Sequence, residues 1–203
     1  RAPEMLNCPV ESLEFDGKTV SWEKGSVTLA DIATSSMCGN NIPMEVSESN
    51  SAPTSPPPFM VGMVEIELEK ETGAIELLDY VAVVDCGTPV NPNLARVQTE
   101  GGLGQGIGMT LYEDIQYNSK GKLWNNSFMQ YKIPSRLDVG RLRVEFESSY
   151  EESGPFGAKS IGEIVINTPS PAIAHAVHNA SGVWVRELPI TPEKIWSGMQ
   201  EKN

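Results

Sequence analysis

"FMVGMVEIELEKETGAIELLDYVAVVD", residues 59–85, decides the fold. Val64, Ile66 and Leu68 alternate with Glu65, Glu67 and Glu69, a period of two that gives a strand one buried and one wet face. "KETGA" then supplies a turn, and "LLDYVAVVD" resumes as a more apolar strand that is expected to lie centrally in its sheet.

Working outward, "CGTPVNPN" breaks the second strand, and residues 95–112 read as a helix loaded with glycine. "IQYNSKGKLWNNSF" predicts a further hairpin and "RLRVEFESSY" a further strand. In "TPSPAIAHAVHNASG", Ser170 is expected to cap a helix that begins at Pro171 and closes at Gly182, with Ile173, Val177 and Ala180 on one face. Thr191 caps a last helix that Pro192 starts, with Glu193 suited to its dipole. Towards the N-terminus, "LEFDGKTVSW" turns at Asp16-Gly17 as a hairpin, and "TLADIATSS" reads as a short helix. The Ser- and Pro-rich "SESNSAPTSPPPF" buries little and is a loop or extended linker. Strands and helices mix without regular βαβ alternation, so the expected class is α+β. The expected division is a variable segment over 1–55 and a C-terminal part over 56–203.

The chain has 203 residues, 39% of them hydrophobic, and a net charge of −12. A real core is affordable at that length, and the charge argues against nucleic acid or an anionic membrane as partner. No run of about 20 apolar residues is present to span a bilayer. The opening "RAPEML" has neither an initiator Met nor a signal-like stretch, so a fragment or excised domain is expected. Cys8, Cys38 and Cys86 are odd in number and widely spaced, which reads as reduced thiols in a cytoplasmic protein rather than a disulfide framework or zinc site.

Several residues invite a chemical reading, and each has a plainer one. Glycines at 101, 102, 104, 106 and 108 each cost a helix interior about 1 kcal/mol against alanine. Close packing of a second backbone, or a ligand, must offset that. Their spacing is not G-x-G-x-x-G, and "GKT" at 17–19 lacks the glycine that a phosphate loop needs at position 12, which is Ser. Gln98 and Gln105, seven apart, share a helix face that is either solvated or turned to a polyfunctional ligand. His175 and His178 supply half a metal site with no third ligand at useful spacing. Cys86 reads better as a small buried residue than as a nucleophile. Glu163 stands in an apolar run, Ile161-Gly162-Glu163-Ile164-Val165-Ile166. In a strand it shares a face with Ile161 and Val165 and simply meets water; buried, it is a base with a raised pKa.

Four stretches together, "SPPPFMVGMVEIELEKETG", "VVDCGTPVNPNLARVQTEGGLGQGIGMTLYED", "NNSFMQYKIPSRLDV" and "GAKSIGEIVINTPSPAIAHAVHNASGVWVRELPITPEKIW", resemble the xanthine dehydrogenase family of molybdenum hydroxylases. The likeness runs in order from about Pro56 to Trp196 and is to the C-terminal part of the molybdopterin-binding large subunit. It implies that Glu163, in the K-x-x-G-E motif of Lys159 to Glu163, is the catalytic base. It would deprotonate a molybdenum-bound hydroxide, whose oxygen attacks an electron-poor carbon while hydride passes to a sulfido ligand. The Q-x-E-G motif implies that Gln98 contacts the molybdenum cofactor, held as molybdopterin or its cytosine dinucleotide. Lys159 and Gly162 are expected to line the same pocket, and the glycines after Gln98 to let backbone pack near the cofactor.

Where the family has two prolines after the glutamate, this chain has Ile164 and Val165, so the backbone beside the base lacks proline's fixed φ. The family's other cofactor-binding loops, its iron–sulfur cysteines and its flavin domain have no counterpart in this sequence. The resemblance therefore implies partners: the rest of the molybdopterin-binding subunit, an iron–sulfur subunit or domain, an FAD subunit or domain, and a small-molecule substrate such as a purine. The isolated chain is expected to be inactive. Alternatives are a family member acting on an aldehyde, a nicotinate-like ring or a thioester, and a non-catalytic remnant serving assembly or binding.

Overall fold

The computed structural model describes residues 1–38, 44–49 and 51–201, and divides at Ser51/Ala52 into two compact units. The first begins with a short helix, α1 (Ala2–Leu6), followed by an antiparallel meander of β1 (Glu14–Phe15), β2 (Thr19–Trp22) and β3 (Gly25–Thr28). Asp16 makes the expected first turn, its Oδ1 accepting from the backbone N–H groups of Lys18 and Thr19. Helix α2 (Leu29–Met37) follows at the expected place. Its capping box pairs the Thr28 hydroxyl with the Asp31 N–H and the Asp31 carboxylate with the Thr28 N–H.

In the second unit, β4 (Phe59–Leu68) and β5 (Ile75–Asp85) form the long hairpin, with a register shift between Glu65 and Ile66. Helix α3 (Pro92–Leu111) leads to β6 (Arg141–Phe146), which pairs parallel to β5. The order is β4-β5-β6, so the more apolar strand is indeed central. Helices α4 (Pro169–Ser181) and α5 (Pro192–Gln200) complete the unit. Tyr80 and Ala82 of β5 meet Leu103 and Ile107 of α3 and Ile173 and Val177 of α4, all fully buried. One sheet face thus carries the core. On the other, Phe59, Val61 and Met63 are exposed, with Val81 and Val83 beside them half-buried.

Three expectations need correction. The hairpin over 115–128 is a single bridge, Tyr117 to Leu123. Two backbone bonds flank that bridge, Asn118 N–H to Lys122 O at 2.9 Å and Trp124 N–H to Gln116 O at 2.8 Å, and beyond them side chains take over: the Gln116 N–H donates to Asn125 Oδ1, and the Lys120 and Lys122 N–H groups to Asn118 Oδ1. Helix α4 begins two residues earlier than Ser170-Pro171, with Thr168 as N-cap and Pro169 at its first position. The Ser170 hydroxyl is bonded to Thr110 Oγ1 at 2.7 Å, so it does not cap. Ile173 and Val177 face the core as expected, whereas Ala180 is exposed. The run around Glu163 is not a strand: Ile164–Ile166 is a 3-10 turn with Glu163 as its N-cap.

Candidate functional site

Asn91 starts α3 by accepting the Leu94 N–H at 3.1 Å, with Pro92 at the first helical position. The helix's glycines then serve two purposes. A Cβ on Gly102 would lie 2.1 Å from Val165 Cγ2, and one on Gly106 would lie 2.5 Å from Pro169 Cγ. The turn Ile164–Ile166 and the start of α4 therefore seat directly on the helix backbone at these two glycines, which is the packing reading. Gly101 and Gly104 differ, since a Cβ on either meets nothing within 4 Å.

The turn that carries Glu163 is held by this notch. Val165, 1% exposed, fills it. The turn's backbone bonds are donated by Ile166 to Glu163 O and by Asn167 to Ile164 O. Neither needs the N–H of residue 164 or 165. Isoleucine and valine thus occupy the family's two proline positions without changing the turn's hydrogen bonding.

Between α3 and the turn lies a cleft of about 640 Å³, a size suited to a small organic ligand. Gln98, Gly101 and Gln105 line it from the helix, and Gly162, Glu163 and Asn167 from the other wall. The structure thus brings Gln98, Gly162 and Glu163 together, although Gln98 lies 64 positions before Gly162 in sequence. Glu163 is exposed in the cleft. Of its apolar sequence neighbours, Val165 is buried against α3 and Ile166 lines the same cleft.

Lys159 lines an adjoining cleft of about 510 Å³ that shares Gln98 and Gly162 with the first. Its ammonium is engaged elsewhere: Nζ lies 2.6 Å from Asp85 Oδ2, with its side chain 8% exposed. Asp85 Oδ1 also accepts from the Gly87 N–H at 3.0 Å and the Ser149 hydroxyl at 2.5 Å. Burial pushes the Asp85 carboxyl up, but the bonds from Lys159, Ser149 and Gly87 together outweigh it and hold the group at about 2. Cys86 beside it is buried, and burial pushes its thiol up, which favours the inert reading over the nucleophilic one. His175 and His178 both pack on Trp184, edge-on at 5.0 Å and stacked at 4.1 Å respectively, rather than pairing on a metal. Neither the Asp85–Lys159 pair nor Asn167 was legible beforehand. The pair's members lie 74 positions apart, and Asn167 sits in an otherwise ordinary polar turn.

The cleft's chemistry suits an uncharged, polyfunctional ligand edge. Three amides, on Gln98, Gln105 and Asn167, each offer a donor and an acceptor, and two glycines, 101 and 162, leave open space where a Cβ would project. A pterin edge fits such a wall. Among the described residues no group of three His, Cys, Asp or Glu side chains is placed to hold a metal ion.

Comparison with known proteins agrees with that chemistry. Residues 1–140 match the molybdopterin cofactor-binding domain, more than half of the chain, and the chain belongs to that family. Among its relatives is a protein named probable hypoxanthine oxidase XdhD from Escherichia coli strain K12, 36% identical over 98% of this chain and 21% of its own length. Another is the 6-hydroxypseudooxynicotine dehydrogenase complex subunit gamma of Paenarthrobacter nicotinovorans, 38% identical over 72% of this chain and 19% of its own. The fold matches that of CO dehydrogenase from Oligotropha carboxidovorans with a TM-score of 0.79, at 22% identity, over 98% of this chain and 26% of that one. The chain spans about a fifth of the length of these curated relatives. The match to the family ends before Glu163, whereas the likeness to XdhD continues through it.

Proposed function

We propose that this chain forms one wall of the active site of a molybdenum hydroxylase of the xanthine dehydrogenase type. The observation that carries this reading is that Gln98 and Glu163 line one cleft. The Gln98 amide holds the pterin edge, with Nε2 donating and Oε1 accepting, and Gln105 and Asn167 extend the same hydrogen-bonding strip. Gly101 and Gly162 keep the approach open. The bound cofactor supplies a two-electron oxidation, with the product's oxygen drawn from water. A carboxylate oxygen of Glu163 takes the proton from that water as it becomes the nucleophile. Packing of the substrate and of the remaining subunit against the cleft would remove the solvent that now surrounds Glu163 and shield the reaction from bulk water.

An N-heterocycle such as a purine is the proposed substrate, supported by the named hypoxanthine oxidase relative. A relative named aldehyde oxidoreductase molybdenum-binding subunit, 34% identical over 68% of this chain, supports an aldehyde as the second reading. The proposed partners are the remainder of the molybdopterin-binding subunit and iron–sulfur and FAD subunits or domains, in the cytoplasm. Exposed Phe59, Val61 and Met63, beside half-buried Val81 and Val83, form an apolar sheet face that suits cover by the rest of the subunit. Among the described residues no helix is long and apolar enough to cross a membrane. A non-catalytic remnant would have no reason to keep an amide strip and a carboxylate in one cleft.

The test is molybdenum content in the complex isolated with this chain. About one molybdenum per copy is expected, and Gln98→Ala is expected to lower that occupancy about ten-fold through loss of a hydrogen-bonding amide to the cofactor. A stable complex without molybdenum would overturn the reading in favour of the assembly module.

A further inference from the structure

Glu163 lies on a short segment fixed at two points. On one side Val165 is locked into the notch that Gly102 leaves in α3, with no room there for even a Cβ. On the other, Lys159 is tied to the end of the central strand. Its N–H donates to Cys86 O at 2.7 Å, and its ammonium reaches Asp85 Oδ2 at 2.6 Å beneath a side chain only 8% exposed. The ring of Phe59 lies 5.5 Å from the same ammonium. The Thr88 N–H donates to Gly157 O at 2.7 Å, so the loop is laced to the residues after β5 on both sides of Ala158, up to Lys159. The approach is so close that a Cβ on Gly87, which has a φ of 65°, would lie 2.3 Å from Gly157 O. Between the two anchors a Cβ on Gly162 would meet nothing within 4 Å.

We propose that the Asp85–Lys159 ion pair is a positioning device for Glu163, holding the segment 160–164 so that the carboxylate faces the cleft opposite Gln98. Lys159 therefore acts through Glu163 and does not itself bind the cofactor. This rests on the reading of Glu163 as the base. Asp85 is suited to the task because it ends the central, most buried strand, and its other oxygen is already fixed by Gly87 and Ser149. A lysine whose partner is itself immobile transmits the strand's rigidity to the loop, where displacement of about 1 Å is enough to cost a large factor in rate.

The experiment uses the assembled enzyme with Lys159→Met, Lys159→Arg, Glu163→Gln and the double variant Lys159→Met/Glu163→Gln. Four quantities are read: molybdenum content, kcat, KM and amide hydrogen exchange over 160–164. In Lys159→Met, kcat falls about ten-fold or more with molybdenum content and KM unchanged, and exchange over 160–164 accelerates while that of β4 and β5 does not. Lys159→Arg, which keeps the charge, restores part of kcat. In the Glu163→Gln background, Lys159→Met removes nothing further. Unchanged exchange over 160–164 in Lys159→Met would overturn the anchor. An equal loss of kcat with and without Glu163 would overturn the positioning role and leave Lys159 a residue of general stability. Near-normal turnover of Glu163→Gln would overturn the base reading itself, and the exchange measurement would still decide the anchor separately.

Discussion

Asp85 and Glu163 are two carboxylates at the edge of one cleft system, and their surroundings set them different tasks. Asp85 is held ionised by three donors, one of them a nearly buried ammonium. Its depressed value means that its contribution to stability is complete above the unfolded value of about 4 and is lost as pH falls through about 2. Asp85→Asn is therefore expected to destabilise the protein at neutral pH, with the gap from the parent closing between about pH 4 and pH 2. Thermal denaturation of both proteins across that range checks it, and a gap independent of pH would mean that the ion pair contributes nothing. The motif around Glu163 was readable by resemblance, whereas Asp85 drew notice only as the neighbour of a cysteine. Sequence carries no trace of a pair 74 residues apart unless the folded path of the loop is known.

At the scale of the element, α3 explains why a helix tolerates five glycines. The alternation of β4, the central place of β5 and the Thr191 cap of α5 were legible, since they rest on local chemistry. The turn at Glu163 was not. Ile161, Glu163 and Val165 alternate as a strand would, but Val165 has a better burial site in the notch at Gly102, and tertiary packing overrides the local period. The same logic hid the early start of α4, where Thr168 accepts the Tyr80 hydroxyl at 2.9 Å and Ser170 is bonded to Thr110. Two substitutions separate the roles of the glycines. Gly102→Ala drives a methyl into Val165 and is expected to cost about 1–3 kcal/mol. Gly104→Ala meets nothing within 4 Å and is expected to stabilise by about 0.5–1 kcal/mol from helix propensity alone. Chemical denaturation midpoints measure both; equal effects of the same sign would contradict the packing account.

In the second unit, the sheet buries one face under α3 and α4 and leaves Phe59, Val61 and Met63 exposed on the other. The candidate cleft is likewise open, with Gln98 and Glu163 both exposed in it. Both features suit a chain that spans about a fifth of its curated relatives, and both make the assembled enzyme the place to test what the wall does. The most direct measurement is the turnover of Glu163→Gln in that enzyme, with its molybdenum content determined on the same sample. The amide keeps the size of the side chain and removes its capacity to take a proton. The account predicts a loss of turnover of about 100-fold or more with molybdenum unchanged, as expected for removal of a general base. Turnover near that of the parent, at equal molybdenum content, would contradict it.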